Sequence, residues 1–564
     1  MIKKLLSVTI TSLTVICCFA LNNATAQKSE TSTDNRPNIV LLVADDMGYS
    51  DLGVYGSEIS TPHLDALAQQ SLLFTNFHTA PTCSPTRAML LSGVDNHRAG
   101  LGTMFGLLSR APNQQGKPGY EGYLNDKVVT VATLLKNAGY HTYITGKWHL
   151  GDKEGYLPNN RGFEHSFVLV PGGASHYSDR TQYGFKYQLA DYNSNGKRLE
   201  KLPKDFYSTH SYTNKMIEFI ESHREDGKPF FAYLAYTAPH APLHAPDEYI
   251  QKYLGKYDSG WDKLRSERFK RMQELGIIPE YLELPARRST VTPWHELSSE
   301  EQRVQAKNMA IYAAMIDYLD MSIGQFLEYL KTSGEFDNTI IIFLSDNGAD
   351  DLELTAVPKF RNWLIQKAKV DNSYENLGKY NSYVSLTPAW AHVSNLPLSG
   401  GKGMVAEGGT RVPFFVYYPK SINPAKTEAF ASVLDIMPTL LDYAGIKHPG
   451  THYEDRRIYS LDGKSMRPLW DGRKAHIYGN NEPIGFELFG SVNKALYLGD
   501  WKILKLGEDK PWNVGKNEPW KLYNLRLDPT ERYDLSTQYP KQLKKMLSLY
   551  EQYEQEVGFV PIKP

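Results

Sequence analysis

Two buried-strand patterns, each followed at once by acidic residues, constrain the fold of this chain most strongly. Asn38–Ala44 is a nearly continuous, β-branched apolar run, and Asp45-Asp46 follows it directly. Asn338–Ser345 repeats the pattern far along the chain and is followed by Asp346-Asn347. Runs of this kind are typical of strands that are buried on both faces of a parallel sheet. The two segments therefore predict an α/β fold in which parallel strands alternate with helices.

The acidic residues at these strand ends also predict a metal site. Binding sites in open α/β sheets lie beyond the carboxyl ends of the strands. Two adjacent carboxylates at the end of a buried strand are costly unless they are paired or bound to a cation. A solvated turn is the alternative for either segment alone, but the repetition favours a cation. Carboxylate and amide oxygens suit a hard cation such as calcium.

A single cysteine lies at a predicted helix start within the segment Pro81–Gly93. Pro85 suits a first helical turn, and Ala88–Leu91 are good helix formers. We therefore expect Cys83 at the positive end of a helix, with Arg87 one turn further on the same face. A buried structural thiol is the alternative for such a cysteine alone. The spacing favours a functional site that combines a nucleophile, an anion-binding helix start and a fixed cation.

Two polar residues follow the predicted strand Tyr140–Ile144. Lys147 and His149 alternate with Trp148, and glycines flank the group. On an extended backbone, alternate side chains point to the same side. The pattern therefore favours a site over two unrelated surface residues.

Further candidates lie in two loops. His240 and His244 belong to a proline-rich loop that follows the predicted strand 229–236, and either histidine could act as a general acid, with a structural role as the alternative. Lys402 lies among glycines, which permit close approach to a ligand. Taken alone, that stretch would be interpreted as a flexible loop that carries a solvated lysine.

Over the rest of the chain, the sequence predicts further helices and strands, together with three irregular segments. Helices are predicted from 61 and at 128–138, 208–223, 298–330, 429–444 and 540–555, and strands at 74–79, 414–418, 494–498 and 501–506. Segments 152–206 and 350–398 are expected to be loops, and 255–297 an irregular insertion.

The N-terminus indicates a secretory signal. Residues 1–26 combine Lys3-Lys4, the largely apolar run Leu5–Leu21 and the cleavage site Ala24-Thr25-Ala26. A membrane anchor or a lipoprotein attached through Cys17 or Cys18 is the alternative. We expect export to the periplasm or secretion without a stable membrane anchor. A catalytic domain is predicted over residues 27–445 and a smaller C-terminal subdomain over 446–564.

Composition narrows the chemistry further. Of the three cysteines, only Cys83 would remain after signal removal, so the exported chain would have no internal disulfide. A lone thiol in an oxidising compartment is a liability unless it is used or modified. The formal net charge of −1 provides no global field that would select nucleic acid, so anion binding must be local.

In this order, the motifs resemble those of the type I sulfatases. The resemblance rests on Cys83-x-Pro85-x-Arg87, Gly146-Lys147-Trp148-His149, Pro239-His240-Ala241-Pro242, Lys402, and the C-terminal Leu522-Tyr523-Asn524-Leu525 with Asp528-Pro529 and Glu531. Segments 119–123 and 485–490 are similar to the bacterial arylsulfatase branch. Ser92-Gly93-Val94 departs from a frequent Thr-Gly-Arg, outside the cysteine motif.

The resemblance implies an alkaline-phosphatase-like core with a mostly parallel sheet flanked by helices, plus a smaller C-terminal α+β domain. It also implies a calcium site formed by Asp45, Asp46, Asp346, Asn347 and position 83. A maturation enzyme would oxidise Cys83 to formylglycine, whose hydrate is the nucleophile. The implied catalytic roles are charge stabilisation by Arg87, Lys147 and Lys402, proton donation to the leaving group by His240, and proton removal from the hydrate by His149.

The resemblance implies hydrolysis of a small-molecule or oligosaccharide sulfate ester. Aryl sulfates and sulfated carbohydrates such as algal polysaccharide fragments are the two expected substrate classes. A phosphodiester or phosphonate monoester hydrolase on the same fold is the nearest alternative, since such relatives also use formylglycine. The second alternative is a binding protein or a maturation-deficient sulfatase. The complete set of catalytic positions argues against this alternative.

Overall fold

The structure is a computed structural model of the chain. It describes residues 35–183, 188–488, 490, 493–507 and 518–562. The predicted export signal, including Cys17 and Cys18, lies outside these residues. In the described ranges, no helix combines the length and the apolar character that a membrane span requires.

The strands, in chain order, are β1 Asn38–Ala44, β2 Leu72–His78, β3 His141–Lys147, β4 His165–Leu169, β5 Thr181–Gln182, β6 Gln188–Leu189, β7 Tyr192–Ser194, β8 Lys197–Leu199, β9 Phe230–Ala235, β10 Thr339–Ser345, β11 Arg411–Tyr417, β12 Ala425–Thr427, β13 Ala431–Ser432, β14 His452–Tyr453, β15 Arg456–Arg457, β16 Pro483–Leu488, β17 Asn493–Leu498, β18 Trp501–Lys505 and β19 Lys521–Asn524.

The α-helices are α1 Pro62–Gln69, α2 Cys83–Ser92, α3 Val131–Asn137, α4 Ser208–Glu221, α5 Asp247–Tyr253, α6 Gly260–Glu274, α7 Ser299–Thr332, α8 Pro358–Trp363, α9 Pro388–Ser394, α10 Glu407–Thr410, α11 Ile436–Tyr443, α12 Arg467–Trp470 and α13 Pro540–Val557.

One large mixed sheet organises the molecule. Among the described residues its strand order is β12-β2-β11-β10-β1-β9-β3-β4-β7-β8, with β13 paired to β2. The central strands β10, β1, β9, β3 and β4 are parallel to their neighbours in this group. Antiparallel strands β11 and β7 flank this parallel centre. The prediction of a mostly parallel α/β sheet is confirmed.

Helices cover both faces of the sheet because the central strands are apolar on both faces. In β1, Ile39, Leu41 and Val43 belong to one core cluster, which contains α2, α3 and α11. Val40 and Leu42 belong to the other, which contains α1, α4 and α7. The continuous apolar run therefore fills two hydrophobic layers at once.

The long helix α7 has the start that its sequence predicts. Ser298 is the N-cap residue, and its side chain and that of Glu301 form a reciprocal capping box. The predicted helix at 540–555 is likewise present as α13.

Several segments differ from their predicted structure. The supposed irregular insertion 255–297 contains α6, whose polar composition hides it; Arg268 on this helix is fully buried and pairs with Asp51 and Glu58. The predicted helix at 429–444 is instead the short strand β13 followed by α11, because Ser432 and Asp435 cap the turn between them.

Two segments predicted as loops also contain regular structure. Segment 152–206 includes β4, β7 and β8, which extend the large sheet. Segment 350–398 includes α8 and α9. These elements are short, so their hydrophobic patterns give little signal.

The C-terminal part is a second layer rather than an isolated unit. Strands β16 to β19 form an antiparallel sheet. One face packs on α13 through residues such as Leu496 and Met546. Ala495 and Tyr497, from the other face, belong to the main core. The α+β architecture matches the prediction, and the boundary at residue 446 stays a prediction.

Candidate active site

The parallel register brings the two acidic strand ends together. In β1 and β10, Ala44 pairs with Ser345 at the carboxyl end. The next residues, Asp45 and Asp346, therefore leave the sheet side by side. The backbone N–H of Asp46 donates to Asp346 Oδ1 at 3.3 Å, and Asp46 adopts a left-handed conformation with φ 67°.

Each of three buried carboxylates has its own cationic partner. Lys147 Nζ lies 2.7 Å from Asp45 Oδ2. Lys402 Nζ donates to Asp46 Oδ2 at 2.7 Å. Arg87 donates to Asp346 Oδ2 from Nε at 2.9 Å and from Nη2 at 2.7 Å. Buried ions require such pairing, because an uncompensated charge in a low-dielectric interior is strongly unfavourable.

Arg87 is held rigidly on α2. Its Nη1 donates to the Lys147 carbonyl oxygen at 3.2 Å and to Tyr233 Oη at 3.3 Å. The side chains of Arg87 and Asp346 are both fully buried. A single guanidinium group thus links α2 to Asp346 after β10, to the end of β3 and to β9.

Cys83 begins α2, as the sequence predicts, and is buried. One potential ligand atom each of Cys83, Asp45, Asp46 and His240 lies within 4.8 Å of the other three. Burial raises the pKa of the Cys83 thiol to about 12, although Lys147 and Lys402 oppose this shift. The genetically encoded residue therefore presents a neutral thiol among carboxylates and lysines.

His240 and not His244 joins the cluster. His240 Nε2 lies 3.6 Å from Asp46 Oδ2, while its Nδ1 lies 2.5 Å from the Ala241 carbonyl oxygen. Since a carbonyl can only accept, Nδ1 carries the proton, and Nε2 of the neutral ring is an acceptor. His244 Nε2 instead lies 2.9 Å from the Ser382 carbonyl oxygen and is fully buried.

His149 lies beside the same cations, but its backbone conformation differs from the predicted one. Strand β3 ends at Lys147, and His149 has φ 55°, so the backbone is not extended there. Burial, followed by Lys147 and Arg87, lowers the pKa of His149 well below its ordinary value. Its buried Nδ1 has no hydrogen-bond partner.

Burial and the neighbouring charges move the pKa values of Asp46 and Asp346 in opposite directions. Burial alone would raise the pKa of Asp46, but Lys402, His240 and Lys147 lower it to about 2. Burial and the charge on Asp45 raise the pKa of Asp346 to about 6, despite Arg87. Burial opposes the charge on Lys402, but Asp46 raises its pKa well above the ordinary value, so Lys402 remains protonated.

The donor set fits a hard divalent cation. Asn347 Nδ2 donates to Asp46 Oδ1 at 2.7 Å, whereas the buried Asn347 Oδ1 has no hydrogen-bond partner. An orphaned amide oxygen beside the carboxylates of Asp45, Asp46 and Asp346 is the oxygen-rich environment that calcium or magnesium prefers. The chemistry of these residues therefore fits the metal that the sequence motifs imply.

Three residues that sequence reasoning missed complete the site. A Cβ on Gly172 would lie 2.6 Å from His149 Cε1, and a Cβ on Gly173 would lie 3.0 Å from His240 Cε1. This Gly-Gly pair allows the backbone to approach both imidazoles. Asp350 Oδ2 lies 3.8 Å from Lys402 Nζ at the partly exposed side of the site.

Family models match most of this chain. The family model described as Sulfatase matches residues 37–446. This chain belongs to the sulfatase family. It is therefore a sulfuric ester hydrolase with the alkaline-phosphatase-like sulfatase fold. A second model, described as N-sulphoglucosamine sulphohydrolase, C-terminal, matches residues 401–556.

Relatives of this sulfatase cover nearly its whole length. It is 40% identical to an uncharacterized sulfatase of Schizosaccharomyces pombe, over 93% of this chain and 94% of the relative. It is 37% identical to an arylsulfatase of Klebsiella aerogenes, over 82% of this chain and 98% of the relative. Among solved structures, Ps i-CgsB in complex with k-i-k-neocarrahexaose is similar, with a TM-score of 0.64, 27% identity and 92% coverage of both chains.

Proposed function

We propose that this sulfatase hydrolyses sulfate esters by using a formylglycine made from Cys83, with a calcium ion held by Asp45, Asp46, Asp346 and Asn347. The observation that carries the proposal is the convergence of the helix start at Cys83 with four oxygen-donor residues and three cations, of which Lys147 and Arg87 are fully buried. Formylglycine would supply a hydroxyl nucleophile as its hydrate, and calcium would supply positive charge to polarise the ester.

Lys147, Lys402 and Arg87 provide the anion-binding part of the site. A sulfate ester is an anion, and attack at sulfur spreads negative charge over its oxygens. Preorganised cations in a water-poor site stabilise that charge without having to reorient. Lys147 and Arg87 are fully buried, while the Lys402 side chain is 13% exposed and is the most exposed of the three.

His240 and Lys402 are placed to assist the leaving group. Both approach Asp46 Oδ2, at 3.6 Å and 2.7 Å. Lys402 carries protons at neutral pH, whereas His240 donates through Nε2 only in its protonated form. We therefore assign stabilisation of the leaving oxygen to the positive charge of Lys402, and we assign His240 as a proton donor only in its protonated form.

We assign His149 the role of a proton acceptor. Its environment keeps the ring neutral, and a neutral imidazole has one nitrogen with a free lone pair. A Cβ on Gly172 would lie 2.6 Å from His149 Cε1, so glycine at this position leaves room for the ring. With formylglycine at position 83, His149 would be the base for the second hydroxyl of its hydrate.

We propose two substrate classes that the relatives support. An arylsulfatase lies among them, and one similar structure contains k-i-k-neocarrahexaose, an oligosaccharide. Aryl sulfates are therefore suitable reporter substrates, and sulfated oligosaccharides are the proposed natural class. We further propose export to the periplasm or the medium, on the strength of the predicted signal at residues 1–26.

A side-by-side assay tests this proposal. The enzyme would be coproduced with a formylglycine-generating enzyme and supplied with 4-nitrophenyl sulfate, sulfated oligosaccharides and an aryl phosphonate monoester. We expect sulfate release that is lost in Cys83→Ala. Preferential hydrolysis of the phosphonate would favour the alternative hydrolase, and equal activity of Cys83→Ala would contradict a nucleophile at position 83.

A further inference from the structure

The C-terminal motif that ends in Glu531 has no role in the chemistry above, yet its carboxylate is buried beside the active site. Glu531 is 8% exposed and adopts φ 56°, a left-handed conformation that non-glycine residues rarely take. Such strain persists only where surrounding contacts enforce it. The contacts made by this side chain therefore indicate what it does.

Glu531 binds the loop that carries Lys402. We call residues 399–407 the Lys402 loop. Glu531 Oε2 accepts a hydrogen bond from the backbone N–H of Glu407 at 3.0 Å and another from the Ser399 hydroxyl. One carboxylate oxygen thus joins the two ends of the loop.

Lys502, from β18, bridges the carboxylates of Glu531 and Glu407. Its Nζ lies 2.7 Å from Glu531 Oε1 and 2.9 Å from Glu407 Oε1, and its side chain is fully buried. Glu407 also accepts from Tyr497 Oη at 2.8 Å and lies 3.1 Å from His78 Nε2. A buried lysine between two carboxylates fixes both, because moving either away would leave a charge uncompensated.

The middle of the loop is held from both sides. Asn493, from β17, donates from Nδ2 to the Gly403 carbonyl oxygen and accepts from the Val405 N–H at 3.1 Å. Toward the catalytic core, the Gly403 N–H donates to the Pro81 carbonyl oxygen at 2.6 Å, and the Lys402 N–H donates to the Ala349 carbonyl oxygen at 3.1 Å. Lys402 therefore lies between the C-terminal sheet and the segment that leads to Cys83.

We propose that Glu531 and Lys502 are positioning residues for the sulfatase reaction. They fix the Lys402 loop, so that Lys402 Nζ stays 2.7 Å from Asp46 and ready to meet the leaving oxygen. The inference rests on the proposed role of Lys402 in leaving-group stabilisation. It also gives the C-terminal sheet a function in catalysis, since that sheet supplies Lys502 and Asn493.

Leaving-group dependence tests the proposal. Phenyl sulfate has a poorer leaving group than 4-nitrophenyl sulfate and needs more help from Lys402. We expect Lys402→Ala to lower kcat for phenyl sulfate on the order of tenfold more than for 4-nitrophenyl sulfate. Glu531→Gln should shift the same ratio in the same direction, and Ser399→Ala, which removes only one hydroxyl, should shift it less.

Glu487→Gln is the matched control. Glu487 is also a buried carboxylate of the C-terminal sheet, but it contacts His97 Nε2 at 2.9 Å and the Gly490 N–H rather than the Lys402 loop. It should leave the leaving-group ratio unchanged even if it lowers the unfolding temperature. A merely structural role for Glu531 would make the two variants behave alike.

Hydrogen–deuterium exchange provides a readout that does not depend on turnover. Peptides that cover residues 399–407 should exchange faster in Glu531→Gln and in Ser399→Ala than in Glu487→Gln. Unchanged exchange there, or equal losses of kcat for both substrates in Glu531→Gln, would overturn the proposal. If Lys402→Ala itself leaves the ratio unchanged, the proposed role of Lys402 fails, and the exchange result alone decides whether Glu531 positions the loop.

Discussion

Replacing Arg87 by methionine tests whether its charge compensates the buried acids. Methionine keeps most of the side-chain volume, so the cavity contribution is small. The substitution removes both hydrogen bonds to Asp346 Oδ2, at 2.9 and 2.7 Å, and those to the Lys147 carbonyl and Tyr233. Asp346 would keep only the Asp46 N–H, at 3.3 Å, among the described donors.

The size of the effect follows from burial. Both side chains of the pair are inaccessible to solvent, and removal of one partner of such a pair costs about 3–5 kcal/mol. Total stabilities are about 5–15 kcal/mol, so the loss is a large fraction of the free energy of unfolding. Burial and Asp45 already raise the pKa of Asp346 to about 6, and loss of Arg87, which lowers that pKa, would raise it further and favour the protonated acid.

Urea denaturation followed by tryptophan fluorescence measures this loss. Arg303→Met is the control, because Arg303 pairs with Glu300 on the exposed surface of α7 at 3.0 Å, where solvent screens the two charges. We expect Arg87→Met to be destabilised by several kcal/mol more than this control. A difference below about 1 kcal/mol would refute the compensation argument.

Two further predictions concern the metal and the imidazoles. Added calcium should raise the unfolding temperature of the wild type after chelator treatment, and Asn347→Ala should reduce that increase by removing the orphaned oxygen; equal increases in both proteins would contradict the assignment. Gly172→Ala places a Cβ 2.6 Å from His149 Cε1 and should lower kcat by about 100-fold. Gly106→Ala, where a Cβ meets nothing within 4 Å, should retain activity, so similar kcat values for the two variants would argue against steric control of His149.

The strand ends were predictable because their signal is local. Continuous apolar runs followed by Asp45 and Asp346 predict both the sheet and the place where its strands end, and parallel pairing then brings these residues together. The same holds for α2, where Cys83 and Arg87 lie one turn apart. The amphipathic pattern similarly predicts a long helix from residue 298, and the structure shows that Ser298 caps it.

The features that were missed depend on contacts between distant segments. Gly172 and Gly173 follow the apolar residues of β4, and a Gly-Gly pair after such a run is the one signal that could have identified them. Asp350 follows Asn347 closely, but only the folded loop brings it near Lys402.

Sequence patterns also misled in two places. The alternation of Lys147, Trp148 and His149 predicts an extended backbone, whereas the φ of 55° at His149 shows that the turn after β3 positions the ring. Helix α6 was missed because Arg265 and Arg268, which suggest an exposed surface, are buried among polar partners. In both cases tertiary contacts override the local pattern.

Mass spectrometry of the peptide that contains Cys83, taken from catalytically active protein, tests the central claim most directly. The account predicts an aldehyde in place of the thiol at this position, in proportion to the sulfate-releasing activity of each preparation. Protein produced without a formylglycine-generating enzyme should contain the thiol and be inactive. An unmodified thiol at Cys83 in fully active enzyme would contradict the account.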